Sequence, residues 1–166
     1  AVKGGFKTQL MFDSRSVNLR ENIGSKLSQL EVLNCESSQV QLDHFIAPKY
    51  IPNYDQDIVL RLLPSYQYPE FSEAQKALFF NQTYRISNAN DRVGCRLEGA
   101  PIALKKDQMI SEAMSYGSVE IATDGLPIIL LKEAPSIGGY PKIGTVFSLD
   151  LTKLAQKQPG AKVKFE

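Results

Sequence analysis

Histidine is almost missing from this chain. His44 is the one histidine among 166 residues, and no serine or acid accompanies it in a triad pattern. Set beside Phe45, it reads as a structural or surface residue. Cysteine is nearly as scarce. Cys35 and Cys95 are far apart, with no CxxC pair and no companion histidines. That excludes a zinc site of the usual spacing, and no metal is expected. The two read as free thiols in a reducing cytosol, though the residues alone leave a disulfide open. Charge of neither sign is in excess. The net charge is +1 and the pI is about 7.9, so nothing demands nucleic acid or an anionic membrane as partner. No apolar run reaches the ~18 residues of a transmembrane helix, and the first residues lack the order of a signal peptide. A cytoplasmic protein is therefore expected. Neither a P-loop GxxxxGK[ST] nor a GxSxG elbow occurs. There is no repeat with a period of 20–50 residues. An initiating methionine is absent too. The opening Ala1-Val2-Lys3-Gly4-Gly5-Phe6 reads as a strand running into a glycine turn, in the manner of the middle of a protein.

What is present points to β structure. Pro127-Ile128-Ile129-Leu130-Leu131 is an unbroken apolar run between Gly125 and Lys132, the pattern of a strand buried on both faces. Thr145 to Leu149 reads as a second strand. Between them lies Gly138-Gly139-Tyr140-Pro141-Lys142-Ile143-Gly144. The glycines permit φ > 0 or a close approach to a ligand, and Pro141 stiffens the loop. Tyr140 and Lys142 then present a phenol and an ammonium from a rigid frame. A tight hairpin with a bulge accounts for the same residues without any site.

Elsewhere, Leu19 to Ser38 is polar and without a period, an irregular excursion. Val40 to Ile46 alternates enough for an edge strand, and Pro48 and Pro52 break any regular element after it. Ile58 to Leu63 is a strand ended by Pro64. Ser72-Glu73-Ala74-Gln75 fits a capping box, which predicts a helix from Ser72 to about Asn81. Thr83 to Ser87 returns to strand, and Asn88-Ala89-Asn90-Asp91 reads as a turn. Arg92 to Leu97 alternates, putting its arginines on one strand face. Met109 to Glu112 and Val119 to Ala122 are further strands, with Asp124-Gly125 turning into the buried run. A helical turn over Leu151 to Ala155 and a final strand over Ala161 to Phe165 complete the chain. The expectation is a single mainly β domain over 1–166, a barrel or sandwich with one or two short helices as plugs.

Two further groups carry possible chemistry. Arg92, Arg96 and Glu98 form a charged stripe, either an anion clamp or a solvated face with structural ion pairs. Glu112 precedes the stretch Ala113-Met114-Ser115-Tyr116-Gly117 and is either a general base or an exposed carboxylate.

Three stretches taken together are more specific. Asp91-Arg92-Val93-Gly94-Cys95-Arg96-Leu97-Glu98-Gly99, then Ile110-Ser111-Glu112 leading to Asp124-Gly125-Leu126-Pro127-Ile128, then the Gly138–Gly144 heptad resemble the family of allophanate hydrolase subunit 2. That family is also called biotin-dependent carboxyltransferase-like, and it includes the C-type 5-oxoprolinase subunit. The opening Ala1-Val2-Lys3-Gly4-Gly5 and Asp13-Ser14-Arg15-Ser16 look like its mid-chain signature. The chain departs from the family pattern at Glu133-Ala134-Pro135-Ser136-Ile137, where members often carry Asp-Arg-Gln-Thr-Thr, and at Cys95, where they usually carry tyrosine.

The resemblance implies a closed cyclophilin-like β-barrel, the C-terminal half of a two-barrel protein whose N-terminal barrel is missing here. It implies one subunit of an ATP-dependent 5-oxoprolinase, or of a related allophanate hydrolase or urea carboxylase complex, inactive alone. A subunit-1-type partner and a third subunit are the expected associates. Lys142, Tyr140 and Glu112 are then the candidate catalytic residues, and Arg92, Arg15, Gly138 and Gly139 the candidate substrate-binding ones. No cofactor bound directly by this chain is expected, while ATP or biotin would belong to the full complex. A competing expectation from the same resemblance is a regulatory module that antagonises a histidine-kinase inhibitor. An enzyme subunit needs convergent polar groups in a pocket; a binding module needs an exposed apolar patch.

Overall fold

A computed structural model describes residues 2, 4–37, 45–103 and 111–166. His44, most of the strand expected over Val40 to Ile46, and the Met109-Ile110 end of another expected strand lie outside the described residues. The chain forms two compact units, residues 1–51 and 52–166.

The first unit is irregular, in keeping with its polar, aperiodic sequence. Isolated bridges join Phe6 to Cys35, Met11 to Ser14 and Asn18 to Ile23. A 3-10 turn, Leu19–Glu21, is capped by the Asn18 side chain, which accepts from the Glu21 N–H. None of its described residues is buried.

Residues 52–166 hold the core. In chain order the strands are β1 (Ile58–Leu60), β2 (Leu62–Pro64), β3 (Tyr84–Asn90), β4 (Gly94–Glu98), β5 (Glu112–Ala113), β6 (Ser118–Ile121), β7 (Pro127–Leu130), β8 (Ile137–Gly138), β9 (Lys142–Val146) and β10 (Lys162–Phe165). The helices are α1 (Glu73–Asn81) and α2 (Ser148–Leu154). Eight strands form one sheet in the order β1-β10-β3-β4-β7-β6-β9-β2, and β5 pairs with β8 as a separate ribbon. All neighbours are antiparallel except β1 and β10.

The two edges of the large sheet are β1 and β2, joined by Arg61 alone. The chain therefore turns a corner at one residue and brings the sheet round into a nearly closed barrel, which removes most of its free edge. The apolar run Ile58 to Leu63, expected as one strand, is two because Arg61 is drawn out of it. The Arg61 N–H and guanidinium both bond the carboxylate of Asp150, at 3.1 Å from the backbone and 2.8 and 2.9 Å from the side chain. Leu60 then aligns with Phe165 and Leu62 with Val146.

The core follows the apolar runs in part. Ile129, Leu130 and Val146 are buried, while Ile128 and Leu131 are partly covered. The α1 helix carries the expected capping box on Ser72 and Gln75. Its Phe79 is fully buried and stacks on Phe165 with centroids 4.4 Å apart. Burial of an aromatic of this size, with the ring contact, is what fixes so short a helix to the barrel.

Three expectations need correction. Asn88 to Asn90 continue β3 instead of turning, because a register shift between Ile86 and Asn90 carries the ladder with β4 further. Arg92 stands outside β4, in the turn where Asp91 Oδ1 accepts from the N–H groups of Val93 and Gly94 at 2.8 and 3.1 Å. The arginines thus do not share one strand face. Finally, Lys142 to Gly144 belong to β9, and Ser148-Leu149 to α2. Gly144 is strand because Leu62 packs directly over it: a Cβ there would meet Leu62 Cγ at 2.5 Å. Neither Gly138 nor Gly144 has positive φ, so close approach is their reason, not turning.

Candidate functional site

Lys142 is held by its backbone from several sides. Its N–H donates to Gln67 Oε1 at 2.6 Å, its carbonyl accepts from Ser65 Oγ, and the preceding Pro141 carbonyl accepts from the Ile121 N–H at 2.9 Å. Gln67 is itself buried. A further device acts here. Val119 pairs with Gly144 but Glu120 pairs with Lys142, so β9 carries one extra residue, Ile143. Such a bulge re-aims the side chain beside it, and bulges gather next to sites.

The re-aimed ammonium pairs with one carboxyl group and acts on a second, Glu120, through its charge. Lys142 Nζ lies 3.2 Å from Glu112 Oε1 and 3.3 Å from the Ala113 carbonyl oxygen, both on β5. Side-chain exposure is only 12% for Lys142 and 16% for Glu112, so this pair is far stronger than one in open solvent. Glu120, its cross-strand partner on β6, is 5% exposed. Neither Glu112 Oε1 nor Glu120 Oε1 has a hydrogen-bond partner among the described residues; Glu112 meets the ammonium as an ion pair and not as an aligned hydrogen bond. Glu120 Oε1 lies against Gly138, where a Cβ would come within 2.7 Å of it. The ring beside the ammonium is that of Tyr66, its centroid 6.0 Å away.

Burial pushes the Glu120 carboxyl above its ordinary range; Lys142 opposes this and Glu112 adds to it. For an acid raised in the folded state the sign is definite. Its neutral form is favoured by folding, so the protein loses stability as pH climbs from the unfolded carboxylate range, near 4.3, through the raised folded value. Glu120→Gln is expected to raise the thermal midpoint relative to wild type, by a margin that widens between pH 4 and pH 8. A constant margin across that range, or none, would contradict the placement of this carboxyl.

The sequence-derived candidates divide. Lys142, Glu112 and Gly138 come together, with Gly138 opposite Glu112 in the β5–β8 ribbon. Gly139 and Tyr140 stand in the loop between β8 and β9, Tyr140 39% exposed. Arg92 pairs with Glu133 at 2.7 Å and Arg96 with Asp124, tying turns together. Arg15 is an exposed residue of the first unit. Sequence reasoning misses Glu120 and Tyr66. Glu120 does carry a signal, since it is the one charged residue in the otherwise apolar Val119 to Ala122.

An open groove of about 770 Å³ lies elsewhere, lined by Asp57, Val59, Arg61, Asp150, Lys153 and Lys157 among others. Its charged groups answer one another. Asp150 takes Arg61 and, at 3.4 Å, Lys153, while Lys157 donates to the carbonyls of Tyr54 and Gln56. The buried carboxyl oxygen of Glu120 that lacks a hydrogen-bond partner lies by the Lys142–Glu112 pair and not in this groove. Both cysteines are free; Cys35 is exposed, and burial pushes the Cys95 thiol up to about 12, which leaves it inert. Among the described residues no helix is long and apolar enough to cross a membrane.

Comparison with known proteins identifies the scaffold. The family model described as carboxyltransferase domain, subdomain A and B, matches residues 1–166. The chain belongs to this family. Its relatives include a 5-oxoprolinase subunit of Haemophilus influenzae, 35% identical over 99% of this chain and 54% of that protein. A protein of Emericella nidulans provisionally named a urea carboxylase is 28% identical over 99% of this chain and 15% of its own length. Among solved structures, the crystal structure of TTHA0988 superposes with a TM-score of 0.80 at 30% identity, covering 98% of this chain and 32% of that one. The chain thus spans about half the length of the Haemophilus relative. The mainly β barrel expected from sequence is the fold found here, and TTHA0988 shares it over 98% of this chain.

Proposed function

We propose that this chain is a site-bearing subunit of a 5-oxoprolinase-type or related urea-carboxylating assembly, in which Glu112, Lys142 and Glu120 shape a site for a small amide. The observation that carries this reading is the largely buried Lys142–Glu112 ion pair beside the buried Glu120 carboxyl, whose Oε1 has no hydrogen-bond partner among the described residues. Buried acceptors without partners are costly to a fold and useful to a ligand that brings donors. The relatives' names support the same class: 5-oxoproline is a lactam and urea a diamide, and both carry N–H beside C=O.

Charge balance decides between an amide and a carboxylate at this spot. Lys142 is already compensated by Glu112, with Glu120 behind it, so a second anion would meet little net attraction. A triphosphate fits still less, since the same compensation leaves it no net positive charge to meet here. ATP, and biotin where the assembly uses it, would therefore be handled by other parts of the assembly. A companion barrel and the partner subunits would supply the remaining walls of the site.

Co-purification of the full-length protein from native lysate, followed by assay of ATP-dependent 5-oxoproline consumption, tests the reading. Consumption by the assembly and none by this subunit alone is expected. Turnover by the isolated subunit, or an assembly that leaves 5-oxoproline and urea untouched, would overturn it.

A further inference from the structure

Glu120 is the residue whose part in the functional reading is least defined. It is a carboxyl group 5% exposed, in the middle of an apolar strand, with Oε1 unpartnered among the described residues. The charged groups that face it are Lys142 from β9 and Glu112 from β5. Opposite it β7 carries Ile128, and β8 carries Gly138. A buried side chain of this kind would ordinarily be replaced by a hydrophobe at no loss to the fold. The bulge at Ile143 and the glycine at 138 both serve to bring groups close to it.

We propose that Glu120 is the specificity-determining residue of this site, its carboxyl group offering an O–H and a carbonyl oxygen side by side to the C=O and N–H of a cis amide, as in a lactam or a urea. The inference rests on the functional reading above and gives it a recognition element. A carboxylic acid and a cis amide match edge to edge, each supplying one donor and one acceptor, so two hydrogen bonds form in one plane. Neither a free carboxylate nor an N-alkylated lactam can complete that pair with Glu120. The ligand enters on the side of Glu112 and Lys142, whose side chains keep some exposure. Ionised Glu120 loses the O–H, and the recognition falls with it.

The test is a ligand-observed NMR titration of the full-length protein with 2-pyrrolidinone and with N-methyl-2-pyrrolidinone from pH 5 to pH 9. For wild type, affinity for 2-pyrrolidinone is expected to fall about tenfold as pH rises, and the N-methyl compound to bind at least tenfold more weakly at pH 5. Glu120→Gln retains one donor and one acceptor, and is expected to bind 2-pyrrolidinone with no pH dependence. Glu120→Leu, which keeps the volume and removes both groups, is expected to lose binding about tenfold or more while its thermal midpoint holds. Equal binding of the two lactams, a flat wild-type profile, no wild-type binding at pH 5, or Glu120→Gln as weak as Glu120→Leu would overturn the proposal. Failure here is separable from failure of the functional reading. An assembly that consumes 5-oxoproline undiminished with Glu120→Leu sinks this inference and leaves the assembly's activity, the core of the reading, standing. An assembly without activity, whose subunit still binds 2-pyrrolidinone with the expected pH profile, sinks only the reading.

Discussion

Asp150→Ala is expected to destabilise residues 52–166 by about 3 kcal/mol, the lower end of what breaking a buried ion pair costs. The carboxylate is 1% exposed and accepts three hydrogen bonds from Arg61, one of them from the backbone at the corner between β1 and β2. Its loss frees the one residue that closes the barrel. The figure sits at the low end because the Arg61 side chain is 49% exposed and stacks on Phe147, with its guanidinium 4.5 Å from the ring centroid, so water takes up part of its charge. The same contact sets the acid limb. Arg61 holds the Asp150 carboxyl down to about 2. Stability from this group is complete above its unfolded value, near pH 4, and is lost as pH falls toward 2. That shift is worth about 2 kcal/mol, at 1.36 kcal/mol per pH unit. Urea unfolding of wild type and Asp150→Ala at pH 7 and pH 3 measures both. A loss below about 1 kcal/mol at pH 7, with the acid limb unchanged, would mean that the corner holds itself.

Lys142→Ala carries the largest functional expectation. In the reconstituted assembly it should lower kcat/KM tenfold to hundredfold, the equivalent of one charge-assisted hydrogen bond of about 1.5–3 kcal/mol. Glu120 would then lose the charge that opposes its raised protonation and keep that of Glu112, so its carboxyl would be pushed further up. The variant should therefore display a displaced pH profile as well as a lower rate. Glu112→Gln, which removes one carboxylate, should recover part of the profile shift when added to it. Kinetics and thermal midpoint measured side by side separate the roles: unchanged kcat/KM returns Lys142 to a structural ion pair with Glu112.

How far these features are legible in the sequence depends on whether their causes are local. The α1 helix is legible because the Ser72–Gln75 box and the apolar face sit within a few residues of one another. The Asp124-Gly125 turn is legible for the same reason, with Gly125 at φ +79°. The corner at Arg61 is not, because its partner Asp150 lies 89 residues away. The heptad misleads in part. Its glycines and proline resemble turn chemistry, but Gly144 is there to let Leu62 approach, a contact visible only when β2 and β9 pair. In the sequence Lys142 and Glu112 stand apart, one an ammonium on a stiffened loop and the other a base or an exposed carboxylate. Only the fold shows that they form an ion pair, 3.2 Å apart. Glu120 is within reach of the sequence, since a carboxylate flanked by Val119 and Ile121 already breaks the pattern of its strand.

The Glu112–Lys142–Glu120 cluster is proposed to carry the chemistry of the assembly and not merely the stability of this barrel. It is tested most directly by assaying ATP-dependent 5-oxoproline consumption with the variant Glu112→Gln, Lys142→Ala, Glu120→Leu in place of wild type, after pull-down has verified that the variant still assembles. The account predicts normal assembly and a loss of at least about a hundredfold in kcat/KM, the sum of more than one lost contact. A variant that assembles and turns over 5-oxoproline at the wild-type rate would contradict it.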